Sequence, residues 1–380
     1  MDRAGNGHVA GSEQQPQVSD SAEDAAAGRR FSFRPRHLVW VSLLLIPADL
    51  IAATLGAGPV LVFWLSVAAL VPIAYIIGEA TEHAGEHTGA LIAGLLNASF
   101  GNAPEVIVAV LAVMHGLPDV VLGSLTGSIV SNLLLVLGLS TIVAGRGRVN
   151  RRSSMVSLTL AGFAVVLFSI ITLLPHSEDG GGIGGGLVIG VCIALLAAYV
   201  VVTAVSVRRA HVAHTEQLAD REPSADDGSH WSLPTALIVL GLATLATVGV
   251  SEALTGTIKQ FASSAGLPQF FVAAVIVAIV GNATEHGGAL LIARRGRLDL
   301  AGQIAFSSSA QVATLVLPVV VLVAVAVNPL PLDFRPVELI TIAVAIVVPA
   351  LLLLRRTMTV ASGVVLCATY VCLAAVYYFV

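Results

Sequence analysis

Long apolar stretches alternate with short polar ones along almost the whole chain. Apolar runs fall at roughly 38–56, 59–78, 88–115, 118–145, 154–175 and 185–207. A polar interval, about 208–232, interrupts them, and five more follow at roughly 233–254, 268–293, 299–327, 337–354 and 358–379. A spanning helix needs about 20 apolar residues, whereas barrel strands are short and alternate. The pattern therefore predicts an all-α integral membrane protein with about 11 transmembrane helices.

Composition supports that class. Of 380 residues, 56% are hydrophobic and only 11% charged, against about 25% charged in a soluble domain. The net charge of -4 gives no ground for a nucleic-acid partner; the expected partners are the lipid bilayer and the ions discussed below, with no cofactor. Cys192, Cys367 and Cys372 sit in apolar runs without metal-ligand spacing and read as packing residues. Residues 1–30 are polar, without a cleavable signal peptide, and read as a disordered cytoplasmic tail.

Basic residues orient the chain. Arg29, Arg30, Arg34 and Arg36 precede the first apolar run and place the N-terminus in the cytoplasm. With 11 alternating crossings, cytoplasmic loops receive Arg146, Arg148, Arg151, Arg152, Arg208, Arg209, Arg221, Arg294, Arg295, Arg297, Arg355 and Arg356. The outer loops receive only Lys259 and Arg335. The C-terminus is then external, and the expected location is the plasma membrane.

Two apolar runs carry the same polar interruption. Gly101-Asn102-Ala103-Pro104-Glu105 lies on the third helix, and Gly281-Asn282-Ala283-Thr284-Glu285-His286 on the eighth. An ionisable side chain at membrane depth is a functional-site hypothesis by default. The third helix runs outward and the eighth inward. The chain thus divides into a first helix at 38–56, a five-helix repeat at 59–207, an acidic cytoplasmic linker at 208–232 and an inverted five-helix repeat at 233–380. Inverted repeats with a midplane site are a transporter plan.

The chemistry follows from the spacing. Asn102 and Glu105 are three apart, as are Asn282 and Glu285, so each pair shares a face. Two carboxylates and two amide oxygens make an all-oxygen cage suited to a hard cation such as Ca2+. Pro104 removes a backbone donor, which would leave the Phe100 carbonyl open to a ligand. His286 has the chemistry of a proton relay or of a histidine satisfied by a neighbouring helix. Glu79 and Glu82 stand near the end of the second apolar run, and Glu252 is the counterpart of Glu79 near the end of the seventh. These are candidates for ion access or proton transfer. Ser131 and Asn132 follow the first motif by one helix, and Ser308 and Gln311 follow the second.

One short motif points elsewhere. His83-Ala84-Gly85-Glu86-His87 matches the H-x-x-E-H pattern of a zinc metalloenzyme. It has no evident third ligand and leaves the duplicated motif unexplained.

The paired motifs resemble the two α-repeats of Ca2+/H+ antiporters, the CAX branch of the cation/Ca2+ exchanger superfamily. The likeness covers nearly the whole chain after the polar tail. It implies that Glu105 and Glu285 bind the cation, that Glu79, Glu252 and His286 serve proton or cation passage, and that Ser131, Asn132, Ser308 and Gln311 belong to the polar helix after each motif. The expected function is Ca2+ export in exchange for H+ by alternating access. The alternatives are an antiporter for Na+, K+ or Mn2+, a passive channel, and the zinc enzyme. Cysteine-accessibility labelling checks the topology: position 220 is expected to label from the cytoplasm and position 180 from outside. Labelling of both from one side would contradict the inverted arrangement.

Overall fold

The structure is a computed structural model that describes residues 41–88, 90–173, 183–218, 231–328, 334–355 and 357–379. The tail expected at 1–30 and the linker residues Asp220, Glu222, Asp226 and Asp227 lie outside the described residues. Every apolar run holds at least one helix. In chain order these are α1 (Leu45–Thr54), α2 (Pro59–Thr88), α3 (Ala90–Phe100), α4 (Ala103–Met114), α5 (Pro118–Ala144), α6 (Arg151–Leu173) and α7 (Ile183–Leu218). After the polar interval come α8 (Leu233–Ala265), α9 (Gln269–Gly281), α10 (Ala283–Arg294), α11 (Leu298–Val327), α12 (Pro336–Leu352) and α13 (Val360–Tyr378).

Among the described residues, seven of these helices are long and apolar enough to cross a bilayer unaided. The bent pair α9–α10, with a 59° angle at its break, raises that to eight, while α1, α4 and α12 are shorter apolar helices. The difference from 11 uniform spans has two parts: the two motif-bearing runs are each interrupted, and α1 and α12 are short. The polar interval also begins in helix, because α7 continues to Leu218.

Two expected helix ends lie further along the chain. α2 runs on to Thr88 and α8 to Ala265, so Glu79 and Glu252 stand well inside their helices. Ala80, Thr81, Glu82 and His83 carry no strong stop signal, and the helix continues through them. α8 stops at Gly266, whose φ of 67° is left-handed and whose successor Leu267 donates back to the Ala262 carbonyl.

Packing arranges these helices around α5. α2 and α8 lie antiparallel: Phe63 stacks on Phe261 at 3.8 Å near one end, and His83 on Trp231 at 4.9 Å near the other. α1 packs on both, and its buried Asp49 accepts a 2.7 Å hydrogen bond from Ser66 of α2. α5 meets α9 backbone to backbone, since a Cβ on Gly127 would stand 2.0 Å from the Ala274 carbonyl oxygen. Close approach through small residues is how helices associate where lipid removes the hydrophobic drive between them.

The loops gather at two ends. At one end, β1 (Arg146–Gly147) pairs antiparallel with β2 (Met358–Thr359), and Gly147 abuts Leu298. At the other, Arg335 before α12 pairs with Asp119 of α5 and lies 5.4 Å over the Phe270 ring. The outward faces of the peripheral helices are apolar; Ile238, Leu242 and Leu245 of α8 are each more than 60% exposed.

The α5–α9 contact is directly testable. Gly127→Ala must push the α9 backbone away, and overpacking of this kind costs about 1–3 kcal/mol. Its thermal unfolding temperature in detergent is expected to fall clearly. Gly190→Ala on α7, with nothing within 4 Å of an added Cβ, is expected to leave it unchanged or slightly raised.

Candidate functional site

The site begins where two helices break. Asn102 separates α3 from α4, and Asn282 separates α9 from α10, in nearly the same backbone conformation: φ -99°, ψ 12° and φ -92°, ψ 14°. In both, the asparagine carbonyl starts the next helix, accepting from Val106 and from His286. Each glutamate is then the third residue of a half-helix, where backbone N–H groups lack intrahelical partners and an acidic side chain is favoured. Pro104 is not what breaks the first run. It lies in the first turn of α4, where a missing N–H costs nothing, and the second motif breaks with Thr284 in its place.

The motifs meet. Glu105 is buried, and its carboxylate lies against Gly281 of the other motif; a Cβ there would stand 3.5–3.7 Å from the glutamate side chain. Glu285 lies four residues beyond Gly281 in that motif and accepts from Ser308. Glu105 Oε2 and the Thr284 hydroxyl are buried without hydrogen-bond partners in the described structure. Among the described residues no trio of His, Cys, Asp or Glu converges. Any cation held between the motifs therefore meets two carboxylates supplemented by amide, hydroxyl and carbonyl oxygens.

A buried network joins the motifs to α5 and α11. The Asn282 amide nitrogen donates to Ser128 at 2.9 Å and to the Ala278 carbonyl at 2.9 Å. The Asn102 amide nitrogen donates to Gln311 at 2.9 Å. Asn132 is the hub: its amide nitrogen donates to Asn282 at 3.2 Å and to Ser308 at 2.9 Å. Its amide oxygen faces His286 Nε2 at 3.1 Å. Because the Asn132 oxygen only accepts, His286 carries its proton on Nε2 in this arrangement. Ser308 then donates to Glu285. The bonds run His286 to Asn132 to Ser308 to Glu285, so each donor is polarised toward the carboxylate.

The two halves match beyond the motifs. Ser128 follows Glu105 by the same 23 residues that separate Ser308 from Glu285. Both α5 and α11 widen into a π-helical turn just after these serines, at Ser131–Val136 and Val312–Val316. Such turns recur at functional positions.

The predicted residues thus divide. Asn102, Glu105, Asn132, Asn282, Glu285, His286, Ser308 and Gln311 come together. Ser131 does not join them; its hydroxyl bonds the Ser128 carbonyl of its own helix. Ser128 is the serine of α5 that bonds Asn282, and the four-residue spacing of Ser128 and Asn132 on one face was the available signal. Glu79 is half-buried beside Gly78, which packs on Thr284. Glu252 is exposed and pairs with His115 at 2.9 Å, at the far end of α4. Glu82 is exposed. His83 pairs with Glu86 at 3.3 Å, and His87 with the Trp231 carbonyl at 2.8 Å. A cavity of about 660 Å3 between α6, α7 and α11 reaches from Asn150 and Arg152 to Gln311, beside the site.

Broken apolar helices thus meet at a centre of buried and half-buried polar side chains, in a chain with seven helices among the described residues long and apolar enough to cross a bilayer. The family model for sodium/calcium exchanger proteins matches residues 58–208 and 235–379, and the chain belongs to that family. It is a transporter and not an enzyme. A Ca2+/H+ antiporter of Synechocystis sp. is 31% identical over 362 residues, covering 89% of this chain and 96% of that protein. The Ca2+/H+ antiporter ChaA of Bacillus subtilis is 33% identical over 341 residues, covering 87% and 95%. The solved structure of native YfkE superposes with a TM-score of 0.75 at 29% identity, covering 90% of this chain and 100% of that one.

The network separates two neighbouring residues. Asn132→Ala strips partners from Asn282, Ser308 and His286 together, and each buried polar group left unpaired costs about 1–3 kcal/mol. Transport in reconstituted vesicles is expected to fall about tenfold or more. Ser131→Ala is expected to stay near the parent rate. Equal losses in both variants would contradict the hub assignment.

Proposed function

We propose that this protein exports Ca2+ from the cytoplasm in exchange for protons, by alternating access at a site shared by Glu105 and Glu285. The observation that carries this reading is the burial of the Glu105 carboxylate against Gly281, four residues before Glu285 in the other motif. The names of the relatives from Synechocystis and Bacillus support the choice of ions.

The cage is completed by amides. Asn102 and Asn282 have their donor ends held by Gln311, Ser128 and the Ala278 carbonyl, and the Asn282 oxygen, which accepts one bond from Asn132, keeps a second lone pair for a ligand. Two ionised carboxylates at close range in a low-dielectric site need a counter-charge. One Ca2+ or two protons supply it, so the ions compete. Crossing the membrane with the pair unneutralised is costly, and this ties Ca2+ exit to proton arrival.

Glu79 and Glu252 serve as access groups on opposite sides of the site, with Glu82 further out along α2. His286 orients Asn132 and, through it, Ser308 and Glu285. The 660 Å3 cavity ending at Gln311 is the route toward the arginine-rich side. Eleven crossings in the plasma membrane, with a cytoplasmic N-terminus, put that side in the cytoplasm. Support comes from the loops holding Arg146, Arg148 and Arg355, which meet at one end of the molecule. The two segments matched by the family model, the twin helix breaks and the twin π-helical turns support two inverted repeats, 59–207 and 233–380, joined by the linker at 208–232.

Two measurements on reconstituted protein test the site. Glu105→Gln and Glu285→Gln keep the side-chain shape but remove a charge, and each is expected to abolish Ca2+/H+ exchange while leaving folded protein in the membrane. Near-normal exchange in either variant would remove the proposal. In the parent, protons displace Ca2+, so apparent Ca2+ affinity weakens as pH falls, by about tenfold per pH unit for each proton displaced. An affinity independent of pH would contradict direct competition.

A further inference from the structure

We propose that the end of the molecule where the two halves join holds one anionic phospholipid, its phosphate among Arg148, Arg151 and Arg355 and an acyl chain along α6. Two cavities carry the inference. The first, about 290 Å3, is lined by Arg148 and Arg151 from the start of α6 and by Arg355 and Met358 beyond α12. The second, about 740 Å3, is a groove along α6 floored by Met155, Val156, Leu160 and Phe163, with Arg151 and Arg152 at its mouth. Arg151 lines both, so headgroup pocket and apolar groove are continuous through one side chain.

Charge says what fits. Arg148, Arg151, Arg152 and Arg355 are exposed, and among the described residues none has a carboxylate partner. Three unpaired guanidiniums around a small pocket are left in mutual repulsion, which a phosphate relieves with bidentate hydrogen bonds. A free phosphate satisfies the pocket and leaves the groove open to the bilayer. A zwitterionic lipid fills the groove, and its own ammonium offsets the charge. An anionic glycerophospholipid matches both parts, and basic pockets between helices are where such headgroups dock.

The placement has a mechanical consequence. Arg148 and Arg151 follow β1 in the first half, and Arg355 precedes β2 in the second; the strands themselves pair Arg146 with Thr359. A phosphate bridging these arginines reinforces the only β-pairing among the described residues, at the seam between the halves. Arg152, at the groove mouth, also lines the cavity that reaches Gln311. An occupied groove therefore borders the route to the ion site, and the inference does not depend on which cation that site carries.

Thermal unfolding of the full-length protein in detergent, titrated with lipid, tests this through the stabilisation that ligand binding to the folded state produces. The probes are phosphatidylglycerol, phosphatidylcholine with the same acyl chains, and inorganic phosphate. The expected result is saturable stabilisation by phosphatidylglycerol alone, with an apparent affinity at least about tenfold weaker in R148Q/R151Q/R355Q. Val156→Trp, which fills the groove without touching charge, is expected to weaken it as well. Should the triple variant fold poorly, Arg355→Gln alone, on an exposed loop, gives the same direction of change. Equal stabilisation by both lipids, full stabilisation by inorganic phosphate, or an unaltered phosphatidylglycerol response in the folded variants would overturn the proposal.

Discussion

Two carboxylates brought together at membrane depth set the terms for the rest of this molecule. Glu105 lies buried against Gly281, and Glu285, four residues further along that motif, is held by Ser308. Like charges so placed are tolerable only with a counter-ion or with protons. The surrounding elements serve that constraint. Two helices break to present N–H-rich ends at the pair, and two others widen by a π-helical turn beside the serines that face it. α5 packs on α9 through bare backbone, which fixes the distance across which Asn132 and Ser128 reach Asn282. The hydrogen bonds among Asn132, Asn282, Ser128, Ser308 and His286 hold that centre in one arrangement.

The two motifs are alike in backbone at their asparagines and unequal in side chains. Asn102 and Asn282 share a conformation, and Ser128 and Ser308 share a position relative to their glutamates. Yet Glu285 receives a hydroxyl donor while Glu105 Oε2 is unpartnered, and His286 stands where the first motif has Val106. A near-symmetric frame supplies a site between two matching elements. The asymmetric chemistry leaves the Glu285 carboxylate held by a network and one oxygen of Glu105 without a hydrogen-bond partner.

Much of this was legible in the sequence because membrane burial makes polar residues conspicuous. Every apolar run holds a helix, the two Gly-Asn-Ala-x-Glu segments do meet, and Asn132, Ser308 and Gln311 do face them. The helix breaks were not legible. Both motifs sit inside apolar runs that continue unbroken in composition, and the chain departs from helix at the asparagine, two residues before Pro104 in the first motif. The π-helical turns leave no mark on hydropathy. Ser131 comes from the resemblance, and a π-helical turn begins at that residue. Glu79 and Glu252 were placed at helix ends because the apolar pattern stops there, whereas α2 and α8 continue through polar sequence as helix. Which side chains bond across the halves depends on how α5 and α11 pack, and no local pattern encodes that.

The central claim is that one buried carboxylate pair holds either Ca2+ or protons and cannot cross empty. It is tested most directly by recording Ca2+ and proton movements together in vesicles containing the purified protein, with a pH gradient imposed and Ca2+, Mn2+, Na+ and K+ supplied in turn. The account predicts that the pH gradient drives Ca2+ movement, that each Ca2+ moved is accompanied by protons in the opposite direction, and that collapsing the gradient stops net flux. Ca2+ crossing down its own gradient with no proton movement, or protons exchanging only for a monovalent cation, would contradict it.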